Sequence, residues 1–180
     1  MGNVKIIVAL RAILINKFKF DEVNVMNELV FRNLSEDAKR QICAWKYGGE
    51  YDLYNLPAYE EMQVRQIGFM NPKSEKNYYG FWDESILVGF VNILEEKEEV
   101  FIGIGVNPDF CNKHYGQRML LITYEISKKL YPNKPLYLEV RTWNIRAVKC
   151  YQKAGFRIDG QAYELTTGIG TGTFYRMIRE

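Results

Sequence analysis

The chain has 180 residues, 47% of them hydrophobic and 26% charged, enough for one full domain that buries roughly 70% of its unfolded surface. That composition excludes a disordered or collagen-like chain. With 24 basic against 22 acidic residues the net charge is +2, too weak a single-sign field to argue for a nucleic-acid partner.

Val4 to Ile15 is apolar apart from Lys5 and Arg11. Arg11 splits it into runs too short for a membrane span, and no small-residue cleavage site follows. Ile6 stands where a myristoylation signal needs Ser or Thr, so no membrane partner is expected. Ile13 to Phe20 reads as a first strand. Asp21 then opens a helical pattern with Val25, Met26, Leu29 and Val30 on one side. Ser35-Glu36-Asp37 supplies an N-cap and acidic first turn for a second helix running to about Trp45.

From Tyr78 the chain becomes β-rich. Tyr78–Trp82, Ile86–Leu94 and Val100–Val106 are separated by polar breaks of hairpin length and predict an antiparallel meander. Gly116 to Tyr131 places Met119, Leu120, Thr123, Ile126 and Leu130 on one helix face, with Lys128 and Lys129 in the last turn and Pro132 beyond. A strand, Leu136–Arg141, is followed by a helix from Asn144 to about Ala154 that Gly155 stops. Strands Phe156–Leu165 and Thr173–Arg179 complete the chain. One helical crossover joins Val100–Val106 to Leu136–Arg141, so those two strands are expected to be parallel. The sum is an α/β fold of the mixed α+β kind, a mostly antiparallel sheet with one parallel pair, flanked by helices. Without a repeat or linker, residues 1–180 read as a single domain with a helical part (1–77) and a strand-rich part (78–180).

Two constellations carry chemistry. In the first, the strand ending Ile104-Gly105-Val106 leads through Pro108 and the short loop Asn112-Lys113-His114-Tyr115-Gly116-Gln117 into a helix. A helix N-terminus presents unpaired N–H groups and a partial positive charge, which suits a diphosphate. An ordinary strand-to-helix connection has the same outline. In the second, Asn144 and Tyr151 lie almost two turns apart on one helix face, about 10 Å along its axis, and could bracket an elongated ligand. Just upstream, Tyr137, Glu139 and Arg141 share a strand face opposite Leu136, Leu138 and Val140. Glu139 there is either a proton acceptor or a carboxylate paired with Arg141.

The second constellation resembles the GNAT superfamily of N-acetyltransferases: Asn144, Ala147, Tyr151 and Gly155-Phe156 all stand at the family's spacing. The Leu-Glu-Val-Arg before them is similar to ribosomal-protein-alanine N-acetyltransferases, in which a glutamate base precedes the tyrosine acid by twelve residues, as Glu139 precedes Tyr151. In the first constellation Val106, Pro108 and Gly116 match the family's V-x-P and loop. Cys111 stands where Gln or Arg is usual, and His114 replaces the first glycine.

The resemblance implies direct acetyl transfer from acetyl-CoA to a primary amine, on a small molecule or a protein N-terminus. Tyr151 would be the general acid, and Glu139 or a water relay the base. It implies cofactor contacts from Ile104, Gly105, Val106, Asn112, Lys113, His114, Tyr115, Gly116, Gln117 and Asn144, with a backbone N–H near Gly105–Val106 stabilising the oxyanion. In the aromatic and acidic run Trp45–Tyr54, Tyr47, Glu50, Tyr51 and Asp52 are candidates to select a cationic amine, or else pack as a loop on the sheet. The alternative for the whole chain is a non-catalytic CoA-binding or regulatory module, motivated by Cys111 and His114.

The remaining motifs point away from other chemistries. Gly168–Gly172 lacks a following helix and reads as a hairpin. Cys43, Cys111 and Cys150 are odd in number and without metal-ligand spacing, which suggests a reduced cytoplasmic protein with no metal. Cys150 has no partner histidine for nucleophilic catalysis. The expected assembly is a monomer or homodimer.

Overall fold

A computed structural model describes residues 29–180. The apolar Val4–Ile15 segment, the expected strand Ile13–Phe20 and the start of the helix at Asp21 lie outside the described residues. The helical spacing does not persist to its far end. Val30–Asn33 is a strand, β1, registered antiparallel against β2 (Tyr78–Asp83) with Val30 opposite Trp82 and Asn33 opposite Tyr79. Phe31 stacks on Tyr79 with ring centroids 4.7 Å apart, so cross-strand aromatic packing decides the local conformation.

Helix α1 (Glu36–Ala44) begins where expected, with Ser35 accepting from the Ala38 N–H at 3.2 Å. A 3₁₀ segment, Gly49–Tyr54, and helix α2 (Tyr59–Arg65) precede β2. Strands β3 (Ile86–Glu95) and β4 (Val100–Val106) extend the meander, and helix α3 (Tyr115–Leu130) crosses to β5 (Leu136–Arg141). Helix α4 (Ile145–Lys153) follows, halted by Gly155 in the left-handed region at φ +87°.

The expected strand Phe156–Leu165 is two pieces, β6 (Arg157–Ile158) and β7 (Tyr163–Thr167). Gly160 between them takes φ +79°, which an extended strand does not permit. The final strand β8 starts earlier than expected and runs from Gly170 to Arg179, so Gly168 and Ile169 form the tip of a β7–β8 hairpin.

The sheet order is β1-β2-β3-β4-β5-β8-β6, with β7 also pairing β8, and β4–β5 is the parallel pair among the described strands. Successive strand residues supply opposite faces. Trp82 and Leu87 pack with Ile42, Met62 and Phe69 under α1 and α2, whereas Phe81 and Val88 join Met119, Leu120 and Val148 under α3 and α4. Helices therefore cover both faces.

Candidate active site

β4 and β5 meet at only two registered pairs, Val100 with Leu136 and Phe101 with Tyr137. Beyond them the strands separate, and Ile102 to Val106 have no β5 partner. The opening is a cleft of about 650 Å³, walled by Ile102–Val106 of β4 and Leu138–Val140 of β5 and closed by the first turns of α3 and the inner face of α4.

Tyr151 lines this cleft from α4, one helical face along from the N-cap Asn144. Among the described residues no group hydrogen-bonds its hydroxyl, and its ring tilts against Phe156 at 6.5 Å between centroids. Burial pushes the phenol well above its ordinary value, so it is fully protonated at neutral pH. Glu139 lines the same cleft from β5 and accepts a 2.5 Å hydrogen bond from Tyr163 on β7; its second oxygen has no hydrogen-bond partner among the described residues. It does not pair with Arg141. That buried guanidinium donates to the carbonyls of Ile169, Gly170 and Thr171 and fixes the hairpin tip, whose Ile169 also lines the cleft. Gly172 makes this possible: a Cβ there would lie 1.9 Å from Arg141 Nη1.

Asn144 is held at both ends of its amide. Its oxygen caps α4 by accepting from the Ala147 N–H at 3.1 Å, and its nitrogen donates to the Tyr54 hydroxyl at 3.2 Å. Tyr47 reaches in from the segment after α1 and donates to the Val106 carbonyl at 2.8 Å. Asn55 braces it by accepting from the Tyr47 N–H and donating to the Tyr47 carbonyl. Burial raises the Tyr47 phenol, so this donor persists across the neutral range.

Ile104, Gly105, Val106, Asn112, His114, Tyr115, Gly116 and Gln117 all line the cleft. Asn112 and His114 both take left-handed φ, 62° and 63°, so the loop coils tightly into α3 without a side-chain cap. Gly116 lets α3 approach α4: a Cβ there would meet Cys150 Sγ at 3.0 Å and Val106 Cγ2 at 3.4 Å. Burial raises the thiols of both Cys111 and Cys150, keeping them protonated and poorly nucleophilic.

Four expected residues lie off the cleft wall: Lys113, over the Phe110 ring at 5.1 Å, and Glu50, Tyr51 and Asp52 in the 3₁₀ segment. The Tyr51 face already carries the Arg146 guanidinium at 4.0 Å, and its ring packs on Trp143 at 5.6 Å. Sequence reasoning missed Tyr54, Tyr163, Arg146, Lys149 and Lys153. The last three recur at i, i+3 and i+7 from Arg146, a helical signal beside the Asn144–Tyr151 pair. Tyr163 sits two strands away and carries no such signal.

The profile of the Acetyltransferase (GNAT) family matches residues 39–156. The chain belongs to this family. A curated "Probable spermine N(1)-acetyltransferase" of Bacillus subtilis subsp. natto (strain BEST195) is 31% identical in a match spanning 48% of this chain and 65% of the relative, less than two thirds of its length. Among solved structures, a chimera of the Vibrio cholerae spermidine N-acetyltransferase SpeG and hSSAT superposes with a TM-score of 0.66 at 20% identity, covering 84% of this chain and 94% of that one. Aminoglycoside acetyltransferase AAC(6')-Ib in complex with coenzyme A superposes at 0.64 with 16% identity, covering 84% and 94%. At these identities the structural likenesses establish the GNAT fold.

Among the described residues no helix is long and apolar enough to cross a membrane, and no group of three or more His, Cys, Asp or Glu is placed to hold a metal ion.

Proposed function

We propose that the protein transfers an acetyl group from acetyl-CoA to a primary amine of a polyamine. The observation that carries this reading is the opened β4–β5 slot with a protonated phenol, Tyr151, and a carboxylate, Glu139, on its walls. The slot suits the pantetheine arm along Ile104–Val106, with the diphosphate at the N–H groups of Asn112–Gln117. The cleft residues fit this cosubstrate: the α3 N-terminus has no side-chain cap, so its amides remain available. The polyamine acceptor is supported by the name of the spermine acetyltransferase relative.

In the proposed reaction the ammonium first loses a proton to the free oxygen of Glu139, directly or through a water. Such amines carry a pKa of about 10 in solution, so desolvation in the aromatic part of the cleft assists. The neutral nitrogen attacks the thioester carbonyl, and the oxyanion is met by backbone N–H near Gly105–Val106. The C–S bond then breaks with its electron pair on sulfur; Tyr151 protonates the thiolate and regains a proton from the acylated nitrogen, which leaves as a neutral amide, so the one proton released overall is that held by Glu139. No covalent enzyme intermediate is formed.

The test is thiol release from acetyl-CoA with spermine, spermidine, an aminoglycoside and an N-terminal peptide. Turnover fastest with the polyamines supports the assignment. Turnover only with another class overturns the acceptor, and CoA binding without turnover on any amine makes the chain a binding module.

A further inference from the structure

The cleft wall contributed by α4 is unusually cationic. Arg146, Lys149 and Lys153 all line the cleft, one above another on a single helix face. Glu139 is the one carboxylate among the described lining residues, and it lies at the β5 side, engaged by Tyr163. No carboxylate among the described residues pairs with any of the three cations. Several basic side chains elsewhere are neutralised locally: Lys39 by Glu36, Arg40 by Glu60, Lys134 by Glu95, Arg176 by Glu99 and Asp159. Lys149 and Lys153 also stand at i and i+4, a spacing at which like charges repel. Lys149 and Lys153, with Arg146 on the Tyr51 ring behind them, give this concave wall the charge to receive an anion.

The position of the stripe defines that ligand. Gln117 of α3 donates to the Lys153 carbonyl at 3.1 Å, so the end of α4 is tied beside the first turn of α3. Arg146 is half-buried and braced on the Tyr51 ring, whereas Lys149 and Lys153 are exposed at the mouth. A diphosphate received by the α3 amides leaves one phosphate of CoA unaccounted for. We propose that Lys149 and Lys153 bind the ribose 3′-phosphate of CoA at the cleft mouth, with Arg146 adding positive potential deeper in. This deepens the acetyl-CoA reading and rests on it.

The experiment is calorimetric titration of CoA and of 3′-dephospho-CoA into the wild-type chain, K149Q, K153Q, the double variant and K73Q. Lys73 is exposed and outside the cleft, so K73Q controls for loss of a general positive charge. Charge-assisted hydrogen bonds to phosphate make the expected loss of CoA affinity about 10- to 100-fold in the double variant. Its affinity for dephospho-CoA should be unchanged, so that the two ligands bind it alike. K149R/K153R should restore the preference for CoA and verifies that the helix tolerates substitution. Equal CoA affinity in wild type and double variant overturns the inference while leaving the acetyl-CoA reading intact. Equal weakening toward both ligands overturns the 3′-phosphate assignment in favour of the diphosphate. Absence of CoA binding to the wild type overturns the acetyl-CoA reading itself.

Discussion

Tyr163 on β7 reaches past the intervening strand β8 to donate its hydroxyl to Oε1 of Glu139 on β5, at 2.5 Å. Burial, helped by that carboxylate, raises the Tyr163 phenol to about 12, so it remains a donor throughout the working pH range. If Glu139 takes the ammonium proton, Glu139→Gln lowers kcat/KM for the amine about 100-fold or more. Tyr163→Phe, which only frees the carboxylate to rotate, costs less, and the KM for acetyl-CoA stays constant in both. A Glu139→Gln variant with wild-type amine kinetics would assign proton removal to water alone.

If Tyr151 protonates the leaving thiolate, Tyr151→Phe removes that proton and keeps the ring. Expected is a fall in kcat of about 100- to 10,000-fold with CoA affinity within a factor of two or so, read by stopped-time thiol release and by calorimetry. The raised phenol fixes the sign of the pH dependence. The acid form persists as pH rises, so Tyr151 imposes no loss of kcat below about pH 10. An alkaline limb that vanishes in Tyr151→Phe and lies near pH 8 would contradict this.

The strands of the meander, the crossover and α3 were legible because periods of two and 3.6 fix which faces are apolar. The divergence of β4 from β5 was not, since nothing in either strand's own sequence specifies where pairing stops. The Glu139–Arg141 choice was equally undecidable from spacing. What draws Arg141 away is Gly172, some thirty residues on, whose missing side chain gives the guanidinium a place against three carbonyls. The run Trp45–Tyr54 offered Tyr51 as one candidate to select a cationic amine, and spacing alone gave no sign that its ring carries Arg146 of the same chain.

Gly172→Ala places a methyl group on the guanidinium and should destabilise the protein by about 1–3 kcal/mol, measured by urea denaturation. Displacing the hairpin tip moves Ile169, so the KM for the amine should rise more than that for acetyl-CoA.

Tyr47→Phe strips the Val106 carbonyl of its phenolic donor. The expected loss is about 1–3 kcal/mol, seen in the denaturation midpoint. Ser35→Ala, which removes the α1 cap far from the cleft, should cost about 1 kcal/mol with kinetics unchanged.

The two registered pairs that join β4 to β5 also make the sheet a mechanical composite. On one side stand four strands held edge to edge, on the other β5 with the C-terminal strands, and the seam between them is stitched at one end. A molecule lying in the open part of that seam and bonding to both strands acts as an interstitial strand. Its occupancy would then register as resistance of β4 and β5 amides to hydrogen exchange, so that the concentration of whatever fills the seam sets how stiff the sheet is.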